Sequence, residues 1–189
     1  MSPKSNYLNF LKLNEKKLNT PDVKVITAFY KFFEVSDTVA LQNSLKSIFN
    51  KTEIKGTILI AKEGVNGTIA GKKNDITVAL EKLWCLYFLI DLEPKYSFAN
   101  KNPFFRMKIR LKKEIVTIGL PEISPNKIVG NYVRPENWND LISDKNLLLI
   151  DTRNNYEVSI GSFENALNPN IKNFREFPNW VNKNLINKD

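Results

Sequence analysis

Histidine is absent from the 189 residues, and cysteine occurs once, at Cys85. The first absence removes His-assisted serine, cysteine and metal chemistry; the second excludes a disulfide framework and any Cys-based zinc site. Catalysis within the chain would rest on carboxylates, lysines or that one thiol. Long apolar runs are missing too. The longest, Leu83 to Ile90, is far too short to cross a bilayer, so no membrane association is expected. Met1 to Leu11 is polar and has no apolar h-region, so no signal peptide is expected either. No repeat and no flavin, haem or metal motif is visible, so no cofactor is evident. With 42% apolar and 25% charged residues, the composition is that of a soluble globular protein of the cytosol.

Charge is present but unevenly placed. The net charge is +8, from 28 basic and 20 acidic residues. Residues 1–119 hold 20 basic and 11 acidic residues, a net of +9; residues 120–189 hold 8 and 9, a net of −1. A positive field confined to the first two-thirds suggests a polyanionic partner, most simply nucleic acid.

Residues 1–22 read as a polar N-terminal extension, at most a short helix with little to bury. Val23 to Phe33 is rich in β-branched and aromatic residues and predicts a strand. Ser36 or Asp37 can cap a helix carrying Leu41, Leu45, Ile48 and Phe49. Gly56 to Ala61 and Val65 to Gly71 predict two strands joined by a turn at Lys62-Glu63-Gly64-Val65, where Gly64 can take a positive φ. A second helix is expected from about Asn74 to Ile90, and a long fourth strand from Phe104 to Gly119. The order β-α-β-β-α-β over residues 23–119 predicts an α+β, ferredoxin-like (acylphosphatase-like) domain: a four-stranded antiparallel sheet with two helices on one face.

The fourth strand is the most informative. Phe105, Met107, Ile109 and Leu111 alternate with Arg106, Lys108, Arg110 and Lys112, which puts four cations on one face. Such a stack of like charges is self-repelling, and phosphates would relieve it. These four residues are the candidate RNA-binding set. Phe104 is the one aromatic in register with them, so contacts to backbone and shape are expected rather than base stacking. The alternative is an exposed edge strand guarded by basic residues.

Two phosphate readings fail. The loop after the first strand, Phe33-Glu34-Val35-Ser36-Asp37, has no glycine and two carboxylates, and would repel an anion where acylphosphatases hold one. Gly64-Val65-Asn66-Gly67 lies in a hairpin and not before a helix. Cys85, in mid-helix beside Trp84, reads as a semi-buried structural thiol, far from any helix N-terminus that could lower its pKa.

Pro121, Pro125 and Gly130 mark a linker over residues 120–134. Beyond it, Pro135 to Ile142 predicts a short helix and Leu147 to Ile150 a buried parallel strand ending in Asp151-Thr152-Arg153. Phe174 to Asn184 predicts an amphipathic helix. One strand cannot close a sheet, so residues 135–189 are expected to be an incomplete domain that stops at Asp189.

Leu148 through Pro169 resembles the first half of a rhodanese domain: a strand ending in Asp-x-Arg, a glutamate soon after, then Gly161, Ala166 and Asn168-Pro169. Over residues 20–189 the chain is similar to the bacterial rhodanese-containing tRNA uridine-34 hydroxylase family, formerly the UPF0176 type. The matching stretches are Ala61-Lys62-Glu63-Gly64-Val65-Asn66-Gly67-Thr68, Arg106 through Thr117, and Phe174-Arg175-Glu176-Phe177-Pro178. The resemblance implies oxygen-dependent formation of 5-hydroxyuridine at the wobble position of tRNA, with molecular oxygen as co-substrate. It implies a ferredoxin-like domain followed by a rhodanese domain, with Asp151, Arg153 and Glu157 in structural rhodanese positions. Asn165 stands where the family often has glycine, a departure that a positive φ tolerates.

The family's catalytic cysteine lies in a rhodanese loop that no residue here matches, so no catalytic residue is assigned. The chain is expected to be inactive alone, with tRNA as partner and a second polypeptide able to supply the missing half. The alternatives are a non-catalytic RNA-binding module and, more weakly, a sulfurtransferase, which would need the absent loop.

Overall fold

The computed structural model describes residues 2–120, 123, 125–127 and 129–186. Met1, Pro121 of the expected linker and Asp189 lie outside the described residues. The chain divides into two compact units, Met1–Ile115 and Val116–Asp189.

The first unit begins with helices α1 (Pro3–Leu13) and α2 (Glu15–Leu18), followed by β1 (Lys24–Phe32), α3 (Thr38–Phe49), β2 (Lys55–Ala61), β3 (Gly64–Gly71), α4 (Lys73–Trp84), β4 (Lys95–Ala99) and β5 (Met107–Leu111). The sheet order is β4-β1-β3-β2-β5. Its first four members are antiparallel neighbours, the ferredoxin-like arrangement, and β5 adds to the β2 edge in parallel. The sheet thus has five strands and not four. The segment expected as the fourth strand is the fifth, and it is short. The true β4 is Lys-Tyr-Ser-Phe-Ala, whose Tyr96 and Phe98 register with Thr27 and Val25 on the core side.

The β2–β3 hairpin is tighter than expected. Ala61 pairs with Gly64, so only Lys62 and Glu63 form the turn. Gly64 has φ 143°, and a Cβ there would lie 2.0 Å from the Lys31 carbonyl oxygen, so only glycine fits.

Period-2 alternation sends Val25, Phe29, Ile58, Ile60, Val65 and Ile69 to one face, where Leu41, Leu45 and Phe49 of α3 and Ile76, Leu80 and Leu83 of α4 cover them. Both helices therefore share that face. Asp37 is the α3 N-cap, its carboxylate accepting from the Val39 and Ala40 amides. The second long helix ends at Trp84, six residues earlier than expected, and a 3-10 turn at Tyr87–Leu89 follows. Leu89 and Leu92 reach the core from this turn and the chain beyond it, so burial is achieved without continuing the helix.

The N-terminal residues bury more than their polarity suggests. Tyr7 of α1 is 1% exposed. It packs against Trp84 and Tyr96, and its hydroxyl lies 2.9 Å from Thr77 Oγ1. Burial raises the pKa of both Tyr7 and Tyr96. One buried aromatic therefore makes α1 part of the fold.

The second unit is sparse in regular structure. It holds α5 (Trp138–Ile142), α6 (Asn155–Val158) and α7 (Phe177–Val181), with 3-10 turns at Pro135–Asn137 and Phe174–Glu176. The amphipathic helix expected at 174–184 is therefore broken into a 3-10 turn, α7 and a π turn at Asn182–Ile186. Among the described residues, the expected strand at Leu147–Ile150 makes a single parallel bridge, Ile150 to Leu167. Leu147 and Leu148 are 37% and 51% exposed rather than buried, because no neighbouring strand covers them.

Candidate nucleic-acid interface

The parallel register of β2 and β5 decides where the cations stand. Ile58 pairs with Ile109 and faces the core; Thr57 pairs with Lys108, and Leu59 with Arg110, on the face opposite α3 and α4. Lys108 and Arg110 are the two cations inside β5. Arg106 and Lys112 flank it, and both continue the ladder: the Arg106 carbonyl accepts from the Gly56 amide at 3.2 Å, and the Lys112 amide donates to the Ile60 carbonyl at 2.8 Å. Arg106, Arg110 and Lys112 are exposed and Lys108 is half-buried. Phe105, expected among the inward residues, precedes the strand and is 98% exposed. The strand does not run on to Gly119, because the chain turns back after Lys112. The Ile115 amide donates to Glu63 Oε1 at 2.6 Å, and its carbonyl accepts from Asn66 Nδ2 at 3.0 Å.

Register carries this face across the sheet. One row runs Lys95 (β4), Ala28 (β1), Thr68 (β3), Thr57 (β2), Lys108 (β5); the next holds Tyr30, Asn66, Leu59 and Arg110. The first row has a cation at each end and two hydroxyls between. Tyr30 is 52% exposed. Its ring meets that of Phe32, two residues on and on the same face, at 6.1 Å and 67°. Phe104 is thus not the only aromatic near the cations. The sequence does show Tyr30 and Phe32 two apart in a strand, but only the sheet order tells which face they share with β5.

An acylphosphatase-type anion site is not available after β1. The cleft there is lined by Phe33, Glu34, Val35, Ser36, Asp37, Ala40, Leu41, Ser44 and Phe88. Asp37 Oδ1 already occupies the helix amides, at 2.9 and 2.8 Å, that would otherwise bind an anion. Nearby, Lys31 Nζ pairs with Asp91 and holds that carboxyl below the usual carboxylate range.

In the second unit, Asp151 and Arg153 form one network. Arg153 Nε and Nη2 donate to the Asp151 carboxylate at 2.9 and 2.5 Å, and Ser162 Oγ donates to it at 2.7 Å. Arg153 Nη2 also donates to the Gly161 carbonyl at 2.7 Å. The Asp151 side chain is 7% exposed. The guanidinium bond holds its carboxyl well below the usual carboxylate range, against the opposing effect of burial, and in turn raises the Arg153 pKa. Glu157 reaches back to the Asn154 amide and Nδ2, at 3.2 and 2.9 Å, as the glutamate of a capping box does. Asp151 and Arg153 thus tie their loop to Ser162 and Gly161, while Glu157 caps α6. Asn165 adopts φ 61°, the left-handed conformation expected of it.

Cys85 is not in mid-helix. It forms the C-cap of α4 and is exposed. Among the described residues, no group of three acidic or cysteine side chains could hold a metal ion, and no helix is long and apolar enough to cross a membrane.

The chain is similar in structure to an acylphosphatase from Coxiella burnetii, with 12% identity and a TM-score of 0.36, over 47% of this chain and 94% of that one. Residues 24–115 match the family model of the UPF0176 acylphosphatase-like domain.

Proposed function

We propose that this chain is the N-terminal, tRNA-binding part of an oxygen-dependent tRNA uridine-34 hydroxylase, and that the hydroxylation chemistry is not carried by these 189 residues. The observation that carries the binding half is the β5 edge: Arg106, Lys108, Arg110 and Lys112 on a strand whose partner register sends Lys108 and Arg110 to the face opposite α3 and α4. Phosphates there would offset the mutual repulsion of the cations and release counterions. The hydroxylase assignment draws on the family match over residues 24–115 and on the rhodanese-like stretch from Leu148 to Pro169.

The lack of chemistry within the chain rests on its donor set. Cys85 caps a helix of the first unit, and Asp151, Arg153 and Glu157 are committed to one another and to neighbouring backbone. Activity would need the remainder of a rhodanese domain to supply the nucleophile, acting on tRNA in the cytoplasm with oxygen as co-substrate.

Nucleoside mass spectrometry tests this directly. In a host lacking its own uridine hydroxylase and expressing these residues alone, the tRNA is expected to contain no 5-hydroxyuridine, while the purified chain binds tRNA in a gel-shift titration. Appearance of the modified nucleoside would overturn the division of labour. Failure to bind tRNA at low salt would overturn the binding role.

A further inference from the structure

We propose that the face of the sheet opposite α3 and α4 binds an unpaired RNA loop, with Tyr30 and Phe32 as the platform on which bases stack and the β5 cations as the phosphate contacts. This deepens the tRNA-binding reading above and rests on it.

Three observations place the site. Tyr30 is half-exposed on β1, in the interior of the sheet, and Phe32 lies beside it on the same face with ring centroids 6.1 Å apart. Arg110 closes the row that contains Tyr30, and Lys108 and Lys95 close the two ends of the adjacent one. The chain beyond β5 crosses this face between Tyr30 and Arg110, where Asn66 Nδ2 donates to the carbonyl of Ile115, a residue 3% exposed. In the row beside that crossing lie Ala28, Thr68 and Thr57, short side chains that present two hydroxyls.

The arrangement suits one polymer. From β1 to β5 is three strand spacings, about 14 Å, so a single strand crossing the sheet can lay bases near β1 and phosphates along β5. Aromatic rings accept any base through its π face, and threonine hydroxyls can meet base edges or 2′-hydroxyls. A duplex keeps its bases stacked inside and can use only the cations. The face therefore distinguishes a loop from a helix, which a row of cations alone does not.

Fluorescence anisotropy on the full chain provides the test, with an anticodon-arm hairpin as one probe and a loop-free RNA duplex of equal length as the other, at one fixed salt concentration. Tyr30→Ala is expected to weaken hairpin binding by about five- to 150-fold and duplex binding by less than about twofold. Phe32→Ala should act in the same direction, and Tyr30→Phe should retain hairpin affinity. Thermal unfolding of each variant verifies that it is folded, which half-exposure of Tyr30 favours. If the wild-type chain binds both probes but Tyr30→Ala weakens neither, or weakens both equally, the stacking platform is overturned while the tRNA-binding reading stands. If the wild-type chain binds neither probe, that reading falls and takes this one with it.

Discussion

Leu59 and Arg110 are register partners across the parallel β2–β5 pair, on the side of the sheet opposite α3 and α4. Shifting β5 by one residue would bring Arg110 to the face where Ile58 and Ile60 lie fully buried, which a guanidinium could not tolerate. Met107 and Ile109, packed against the core, and the Gln42 Nε2 bond to the Ile109 carbonyl at 2.9 Å hold the register. The apolar half of this strand thus determines where its charged half points.

That arrangement has a salt signature. Replacing Arg106, Lys108 and Arg110 together with alanine should remove up to three phosphate contacts. The slope of log affinity against log salt for single-stranded RNA should then flatten by about 2. An unchanged slope, measured by anisotropy over a salt series, would mean the β5 edge does not touch phosphate.

Gly64 cannot carry a side chain. At φ 143°, with the Lys31 carbonyl oxygen 2.0 Å from the position of a Cβ, Gly64→Ala must distort the start of β3. The expected loss is about 1–3 kcal/mol of backbone strain, with the clash added to it. Urea unfolding measures it, and a loss under about 0.5 kcal/mol, the ordinary range of surface changes, would contradict the tight hairpin.

Tyr7 tests whether α1 belongs to the fold. Tyr7→Ala removes a fully buried ring from contact with Trp84 and Tyr96 and should cost about 3–5 kcal/mol, as for other large aromatics. Tyr7→Phe loses only the bond to Thr77 and should cost about 1 kcal/mol. Equal and small losses from both would return residues 1–22 to the status of an appendage.

The Asp151–Arg153 pair predicts a pH dependence in the second unit. A carboxyl whose pKa is depressed on folding contributes stability above its unfolded value, near 3.9, and loses that contribution as pH falls through the folded value. Amide exchange at Asp151 and Leu167, whose N–H groups tie Leu149–Asp151 to Leu167, should therefore accelerate as pH falls below about 4 relative to the intrinsic rate. Asp151→Asn should exchange faster than wild type at neutral pH and show little further change in acid. A wild-type profile parallel to that of the variant would rule out the coupling.

Much of the first unit was legible in the chain. The period-2 runs of β1, β2 and β3 and the 3.6-period faces of α3 and α4 arise from local side-chain spacing, which burial in one core reinforces. Asp37 could be read as a cap because its carboxylate satisfies amides two and three residues away. The Asp-x-Arg spacing at 151–153 was likewise local, since the pair closes within two residues. The alternation from Arg106 to Lys112 was visible too, but its extent was overestimated. Nothing in the run itself marks where the chain must turn back for Ile115 to meet Glu63 and Asn66.

What composition and spacing determined is the set of elements, their amphipathic faces, the positive charge of the first two-thirds and the absence of histidine-based chemistry. Pairing partners were decided only in three dimensions. A five-residue strand such as Lys95–Ala99 carries too little periodicity to stand out, and it becomes a strand because β1 offers it an edge and Tyr7 and Phe10 cover its rings. Whether β5 ran parallel or antiparallel, and whether Tyr30 shared a face with Arg110, depended on hydrogen bonds between segments tens of residues apart. A strand's own sequence tells its two faces from each other; only its neighbours tell which of them meets the core.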